Sequence, residues 1–272
     1  MKIVPFVTSY GLLSFLVASS IGSVHAANVE GREISRENMR EIRSDQFYPR
    51  TEKDFNTVFY KKHFTSKEEE SDLLAYLVEM SEIYDVSSLA VFGAIMGEHS
   101  MNQRSTLKQV GESGINLLGK KFGKSGENFV NNLNVKFRGA HGDASFGPGQ
   151  VQPFIATAMQ SEIERIRPDA TEDEMDKYCW KGSINIICAY MNYAANRYDS
   201  EGFNIRDDAP LLVTLFNIGE RRMSFALRAA ETRALVDSGE RKGPWLNYFG
   251  YWIQRNIKTL ESKMQPATKA MR

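Results

Sequence analysis

From residue 66 onward, apolar residues recur every three or four positions between short polar breaks, the spacing of amphipathic helices. Ser66-Lys67-Glu68-Glu69 reads as a capping box, and Leu73, Leu74, Leu77, Met80 and Tyr84 follow at helical spacing. Ser87 or Ser88 starts a second helix, which carries Leu89, Phe92, Ile95 and Met96 and ends near Glu98. The helical pattern returns at Pro153 and predicts a helix over 153–165. Thr171-Glu172-Asp173-Glu174 is another capping box, and further helices are expected over 183–198, 208–216, 219–236 and 245–262. β-Branched alternation is nearly absent and nothing repeats with a period of about 20–50 residues. The pattern therefore predicts a mainly α fold.

Two stretches break this rhythm. Residues 27–65 are polar, charged and only weakly periodic, which suggests an N-terminal arm with one short helix at most. Residues 101–150 hold Gly111, Gly114, Gly119, Gly123, Gly126, Gly139, Gly142, Gly147 and Gly149. They read as a long, turn-rich insertion with one or two short helices, and excursions of that kind inside a compact domain are usually functional. Residues 66–262 then form one domain, and residues 263–272 read as a frayed tail.

The first 26 residues have the parts of a secretory signal. Lys2 is a positive n-region, Leu12-Leu13-Ser14-Phe15-Leu16-Val17-Ala18 an apolar h-region, and Val24-His25-Ala26 a small-residue cleavage site. Ser9, Ser14, Ser19, Ser20 and Gly22 interrupt the run, which makes it a poor membrane span. The expected location is the periplasm or the medium, with no stable membrane insertion. Among the remaining ~245 residues there is ample material for a core, since 42% of the chain is apolar and 11% aromatic. Formal charge is zero, or about −1 once the single charge of Lys2 is removed, so there is no broad electrostatic footprint for nucleic acid. Oligomeric state is not legible.

Export permits disulfides. Cys179 and Cys188 stand nine residues apart; on one continuous helix that is about 13 Å, too far to bridge. If Cys179 instead lies in a loop before a helix capped by Ser183, a bond is within reach. A disulfide and two buried thiols both stay open. The neighbourhood offers too few Cys and His ligands for zinc, and no metal or cofactor is expected.

Three segments carry candidate chemistry. In Ala94-Ile95-Met96-Gly97-Glu98-His99-Ser100 a carboxylate follows an almost wholly apolar run, a placement that desolvates an acid and suits it to proton donation near neutral pH. The ordinary alternative is a solvated glutamate at a helix end. In Ser145-Phe146-Gly147-Pro148-Gly149-Gln150-Val151-Gln152-Pro153 the glycines permit close ligand approach and Gln150 offers both a donor and an acceptor. The same stretch is otherwise a plain loop into a helix begun by Pro153. Leu215-Phe216-Asn217-Ile218-Gly219 joins two helices, and Asn with Gly two residues on is also ordinary helix-stop chemistry.

Taken in order, these segments resemble the lysozyme superfamily, in particular soluble lytic transglycosylases and goose-type lysozymes. Tyr84 to Glu98 resembles the family's entry to its catalytic helix, and Ser145 to Pro153 its Gly-Leu-Met-Gln-Ile-x-Pro segment. Asn185-Ile186-Ile187-Cys188-Ala189-Tyr190-Met191 resembles its Asn-Ile helix, and Phe216-Asn217-Ile218-Gly219 its Tyr-Asn-x-Gly turn. The likeness covers about residues 70–255, and its specificity comes from the series, since each motif alone is degenerate. Three departures stand out. His99 intervenes between Glu98 and Ser100, Phe216 replaces the tyrosine that commonly bonds the catalytic carboxyl, and the loop between Glu98 and Gln150 is longer than usual. Export and the lengthened loop leave open a nearer resemblance to the deacetylation-specific lysozymes of predatory bacteria.

The resemblance implies a lysozyme-like multi-helix domain that cuts the β-1,4 bond between N-acetylmuramic acid and N-acetylglucosamine in peptidoglycan glycan strands. Glu98 would protonate the leaving oxygen. A transglycosylase needs no second acid, whereas a hydrolase uses one; Glu112 and Asp143 are the candidates, each equally readable as a solvated loop acid. Ser100, Ser145, Gln150, Tyr190, Phe216 and Asn217 would contact substrate. A non-catalytic lysozyme-like module that only binds peptidoglycan is the alternative, motivated by Phe216 and His99. Gly119-Lys120-Lys121-Phe122-Gly123-Lys124-Ser125 is one residue short of a phosphate-binding loop and follows no strand. Lys108, Lys120, Lys121 and Lys124 would meet solvent or acidic wall polymer. Met175, Met191, Met223, Tyr190, Tyr193, Phe225, Trp245, Tyr248, Tyr251 and Trp252 read as core, with one or two of the aromatics lining a sugar groove.

Overall fold

The computed structural model describes residues 27–29, 32–34, 67–102, 121–125, 151–220 and 223–270, with side chains described for most of the helical residues. It is mainly helical. A two-stranded antiparallel ribbon, β1 (Ala27–Val29) and β2 (Arg32–Ile34), pairs Ala27 with Ile34 and Val29 with Arg32. The described part of the arm is thus strand. The helices are α1 (Lys67–Ile83), α2 (Ser88–Asn102), α3 (Pro153–Ile166), α4 (Glu172–Met175), α5 (Trp180–Asp199), α6 (Ala209–Ile218), α7 (Phe225–Asp237) and α8 (Tyr248–Ala270). A further helical stretch at 121–125, exposed throughout, falls within the sequence that mimics a phosphate-binding loop.

The centre is built from helices that are apolar over most of their circumference, the pattern of a helix enclosed on all sides. Every residue of α2 from Ala90 to Gly97 is buried, as are Gly182 to Asn192 of α5 and Ala209 to Phe216 of α6. α1, α3, α7 and α8 cover this centre, each with a narrower apolar stripe: Ile155, Met159 and Ile163 of α3, for example, recur every four residues and face α5. α6, α2 and α8 each pack against the other two.

Turn chemistry explains where the helices stop and start. α1 ends in a Schellman arrangement, with Val86 N donating to Ser81 O (2.9 Å) and Asp85 N to Glu82 O (3.1 Å). Asp85 takes the left-handed position (φ 51°), which a short polar side chain tolerates better than most. Arg206 then fixes the entry to α2. Its carbonyl accepts from Ser87 N (2.9 Å), and its guanidinium meets Asp85 (3.2 Å) and Asp199 (3.0 Å). α6 begins at Asp208, whose carboxylate accepts from Leu211 N (3.0 Å) with Pro210 in the first turn. α7 starts at Phe225 rather than 219, because Gly219 stops α6 at φ 59° and Ser224 caps the next helix. α8 continues to Ala270 instead of fraying at 263. Buried Leu260 and Met264 prolong its apolar stripe through the polar residues that made the end look like a tail.

The two cysteines are free thiols. Cys179 is the residue just before α5, and its Sγ lies 3.4 Å from Asp176 Oδ2. Cys188 sits mid-helix against Ser81 Oγ at 4.0 Å and is fully buried. Burial pushes the Cys188 thiol up to about 12. Ser183 lies inside α5, where its hydroxyl donates to Lys177 O (2.8 Å), so the helix start that would have favoured a disulfide is not the one formed. No helix among the described residues is long and apolar enough to cross a membrane.

Candidate active site

Glu98, His99 and Ser100 belong to the second half of α2, in the turn that follows its buried run; their side chains lie outside the described residues. Glu112, Asp143, Ser145 and Gln150 lie outside them altogether. What the structure places is the scaffold around the Glu98 backbone and the segments that follow Gln150.

That scaffold depends on a close helix approach. A Cβ built on Gly97 would lie 2.0 Å from Phe249 Cε2, and one on Gly93 would lie 2.6 Å from Ile253 Cδ1. Glycines four residues apart face one way on a helix, so α2 lies flush against α8 immediately before Glu98. The start of α8 is fixed in turn by Asn247, which is 2% exposed. Its Oδ1 accepts from Phe249 N and Gly250 N, both at 3.0 Å, the satisfaction of orphan donors expected of a helix cap. Its Nδ2 donates to Asn217 Oδ1 at 2.8 Å, and its backbone N donates to Thr214 Oγ1 at 3.3 Å. Asn217, at the C-terminal end of α6, is therefore joined through Asn247 and Phe249 to the residue preceding Glu98.

The turn after Asn217 is held by Tyr190. The Tyr190 hydroxyl accepts from Glu220 N at 3.1 Å, and a Cβ on Gly219 would stand 3.5 Å from the same oxygen. Glu220 Oε1 accepts from Phe225 N at 2.6 Å, which closes the loop from α6 to α7. The Tyr190 ring meets Phe216 edge-on at 6.3 Å and Phe225 at 5.3 Å. Burial, joined by the nearby Glu220 carboxylate, holds the Tyr190 hydroxyl well above its ordinary value, so it stays protonated. Phe216 itself is 7% exposed and belongs to the core cluster.

Beside this turn a groove of about 440 Å³ is lined by Phe154, Ile155, Ala158, Met159, Tyr190, Tyr193 and Glu220. It lies where the N-terminal half of α3, which follows the Gln150 segment, meets the middle of α5. Two of the aromatics read as core, Tyr190 and Tyr193, line it, Tyr190 at its buried floor. No family model, curated protein or solved structure matches the chain. The arrangement has to be read from its own geometry.

Of the residues expected to contact substrate, Tyr190, Phe216 and Asn217 come together around one turn, and the backbone carrying Glu98 is tied to that turn. Asn185, in the segment resembling the Asn-Ile helix, points elsewhere: its Nδ2 donates to Tyr76 Oη (3.1 Å) and Glu174 O (2.9 Å). It bridges α1 and α4 in a buried polar cluster with Arg167, and is structural. The sequence reading did not single out Asn247 or Glu220. Asn247 was visible in principle as a cap directly before an apolar helix, and Glu220 as the one carboxylate adjoining the Asn-x-Gly turn. Among the described residues no three His, Cys, Asp or Glu side chains gather closely enough to hold a metal ion.

Proposed function

We propose that this chain is an exported enzyme that cuts the glycan strands of peptidoglycan, with Glu98 as the general acid. The observation that carries the reading is the tie from Gly97 through Phe249 and Asn247 to Asn217. It supports bringing the acid-bearing end of α2 to the Asn-x-Gly turn, where the resemblance expects a substrate cleft. In this reading Glu98 enters the reaction protonated and delivers its proton to the glycosidic oxygen as the bond breaks. The carboxylate then serves as base. If it activates water, the product carries a reducing end; if it deprotonates the muramyl 6-hydroxyl, an anhydro ring closes and the product is lighter by one water. Rigid helices hold the cleft in this scheme, which is what positioning catalysis requires.

The second reading, a lysozyme-like module that binds peptidoglycan without cutting it, is favoured by one observation. Phe216 stands where the enzymes that the sequence resembles carry a tyrosine hydroxyl, and the Tyr190 hydroxyl is engaged with Glu220 N. Purified sacculi separate the two readings: an enzyme releases muropeptides and Glu98→Gln does not, whereas a module sediments with sacculi and releases nothing. The mass of the released fragments then distinguishes hydrolysis from ring closure.

A further inference from the structure

The groove between α3 and α5 is lined mostly by apolar and aromatic residues, with Glu220 the one charged residue among the described residues that line it. Its walls are held in place. Tyr193 has the Arg197 guanidinium 4.9 Å from its ring centroid and Phe225 at 6.1 Å. Glu220 is anchored at both ends, by its backbone N on Tyr190 Oη and by its Oε1 under Phe225 N. A carboxylate offers about four lone-pair positions, and the bond from Phe225 uses one. The volume, about 440 Å³, falls in the range of small-ligand sites, about 300–1,000 Å³. A ligand that fits this wall needs an apolar face to lie on aromatic rings and donors at its edge for a fixed acceptor. A pyranose has both: one face of ring C–H groups, and equatorial hydroxyls or an acetamido N–H at the rim. A purely aliphatic ligand would leave the remaining lone pairs of the carboxylate desolvated without a donor.

We propose that Glu220, Tyr193 and Phe154 form a sugar-binding subsite for one N-acetylated pyranose of the strand, with Glu220 accepting hydrogen bonds from its rim. The proposal rests on the glycan-cleaving reading for its choice of ligand. Glu220 acts here in substrate recognition rather than in the bond-breaking step. Its position one residue after Gly219 makes recognition sensitive to the same turn that Tyr190 and Asn217 fix.

The probe is a chitotriose of N-acetylglucosamine, titrated into the full-length protein labelled with ¹³C at the methionine methyls. Met159 lines the groove and reports occupancy, its resonance assigned with Met159→Leu. The subsite predicts a saturable shift of the Met159 methyl. Glu220→Gln keeps an oxygen for Phe225 N while removing the charge; it should weaken chitotriose binding about tenfold, the usual scale for a hydrogen bond to a charged group. Tyr193→Ala should weaken it by a similar factor. On sacculi, Glu220→Gln should raise the half-saturating substrate concentration while kcat stays within about twofold. Unchanged thermal melting separates recognition from a folding defect. An unmoved Met159 methyl at saturating sugar, or unchanged affinity in Glu220→Gln and Tyr193→Ala, overturns the subsite even if sacculi are digested. Chitotriose shifting Met159 without any muropeptide release overturns only the enzymatic reading.

Discussion

Replacing Gly97 by alanine places a methyl group 2.0 Å from Phe249 Cε2 and 2.4 Å from Phe249 Cζ. Ordinary carbon contacts lie at about 3.5–4.0 Å, so the ring or the helix has to yield by about 1.5 Å. Phe249 is fully buried in the first turn of α8, where its N–H is held by the Asn247 cap, so the ring has no solvent to swing into. Alanine in place of glycine inside a helix contributes about 1 kcal/mol of stability by itself, while overpacking a rigid core costs about 1–3 kcal/mol. The inability of the ring to move puts this site at or above the upper end, and the net expectation is a loss of about 2 kcal/mol. For a domain of this size that lowers Tm by about 4–8 °C. Gly93→Ala is the internal comparison. Its methyl meets Ile253 Cδ1 at 2.6 Å, the far end of a flexible side chain, and should cost less than Gly97→Ala. Shrinking the obstacle with Phe249→Leu should make the two changes non-additive, with a coupling of about 1 kcal/mol or more. Urea unfolding followed by circular dichroism measures all five proteins: the parent, the three single variants and the Gly97→Ala/Phe249→Leu double variant. The packing argument is refuted if Gly97→Ala is as stable as the parent, or if Phe249→Leu fails to relieve it.

Three further outcomes follow from other contacts. Asn247→Ala removes a cap and the bond to Asn217, and should cost about 1–2 kcal/mol in urea unfolding and lower muropeptide release more than Asn256→Ala, which removes a bond to Trp252 O within α8. Glu174 is pushed up by burial, but Thr171 N, Tyr76 and Arg167 outweigh this and hold its carboxyl below the ordinary value. Its stabilisation is therefore complete above about pH 4.5 and lost as pH falls through the lowered folded value. Stability measured from pH 6 down to pH 3 should fall more steeply in the parent than in Glu174→Gln; equal slopes would contradict the assignment. Thiol labelling of the native protein should modify Cys179 and spare Cys188, and labelling in denaturant without reductant should modify both. Failure to label either thiol in denaturant would indicate a disulfide instead.

The helical framework was legible because period and punctuation agreed. The Thr171–Glu174 box, Pro153, and the serines before α2 marked starts that the structure has within a residue or two. What the sequence hid was long-range. Gly97 reads as a weak helix residue until Phe249, some 150 positions away, is seen filling the space its side chain would need. Asn217 reads as a helix stop, and its engagement with Asn247 depends on how α6 and α8 cross. The same holds for Glu220, an exposed-looking acid by composition that its bonds to Tyr190 and Phe225 set in the lining of the groove between α3 and α5. Local polarity makes residues 263–272 read as a tail and outweighs the spacing of Leu260 and Met264. Tertiary burial decided it the other way.

Digestion of purified sacculi by the parent protein and by Glu98→Gln, with the soluble products resolved by mass spectrometry, tests the central claim most directly. Disaccharide-containing muropeptides are expected from the parent and none above background from a folded Glu98→Gln, matched by circular dichroism and urea midpoint. Release that persists in Glu98→Gln, or a folded parent that binds sacculi and releases nothing, would contradict it.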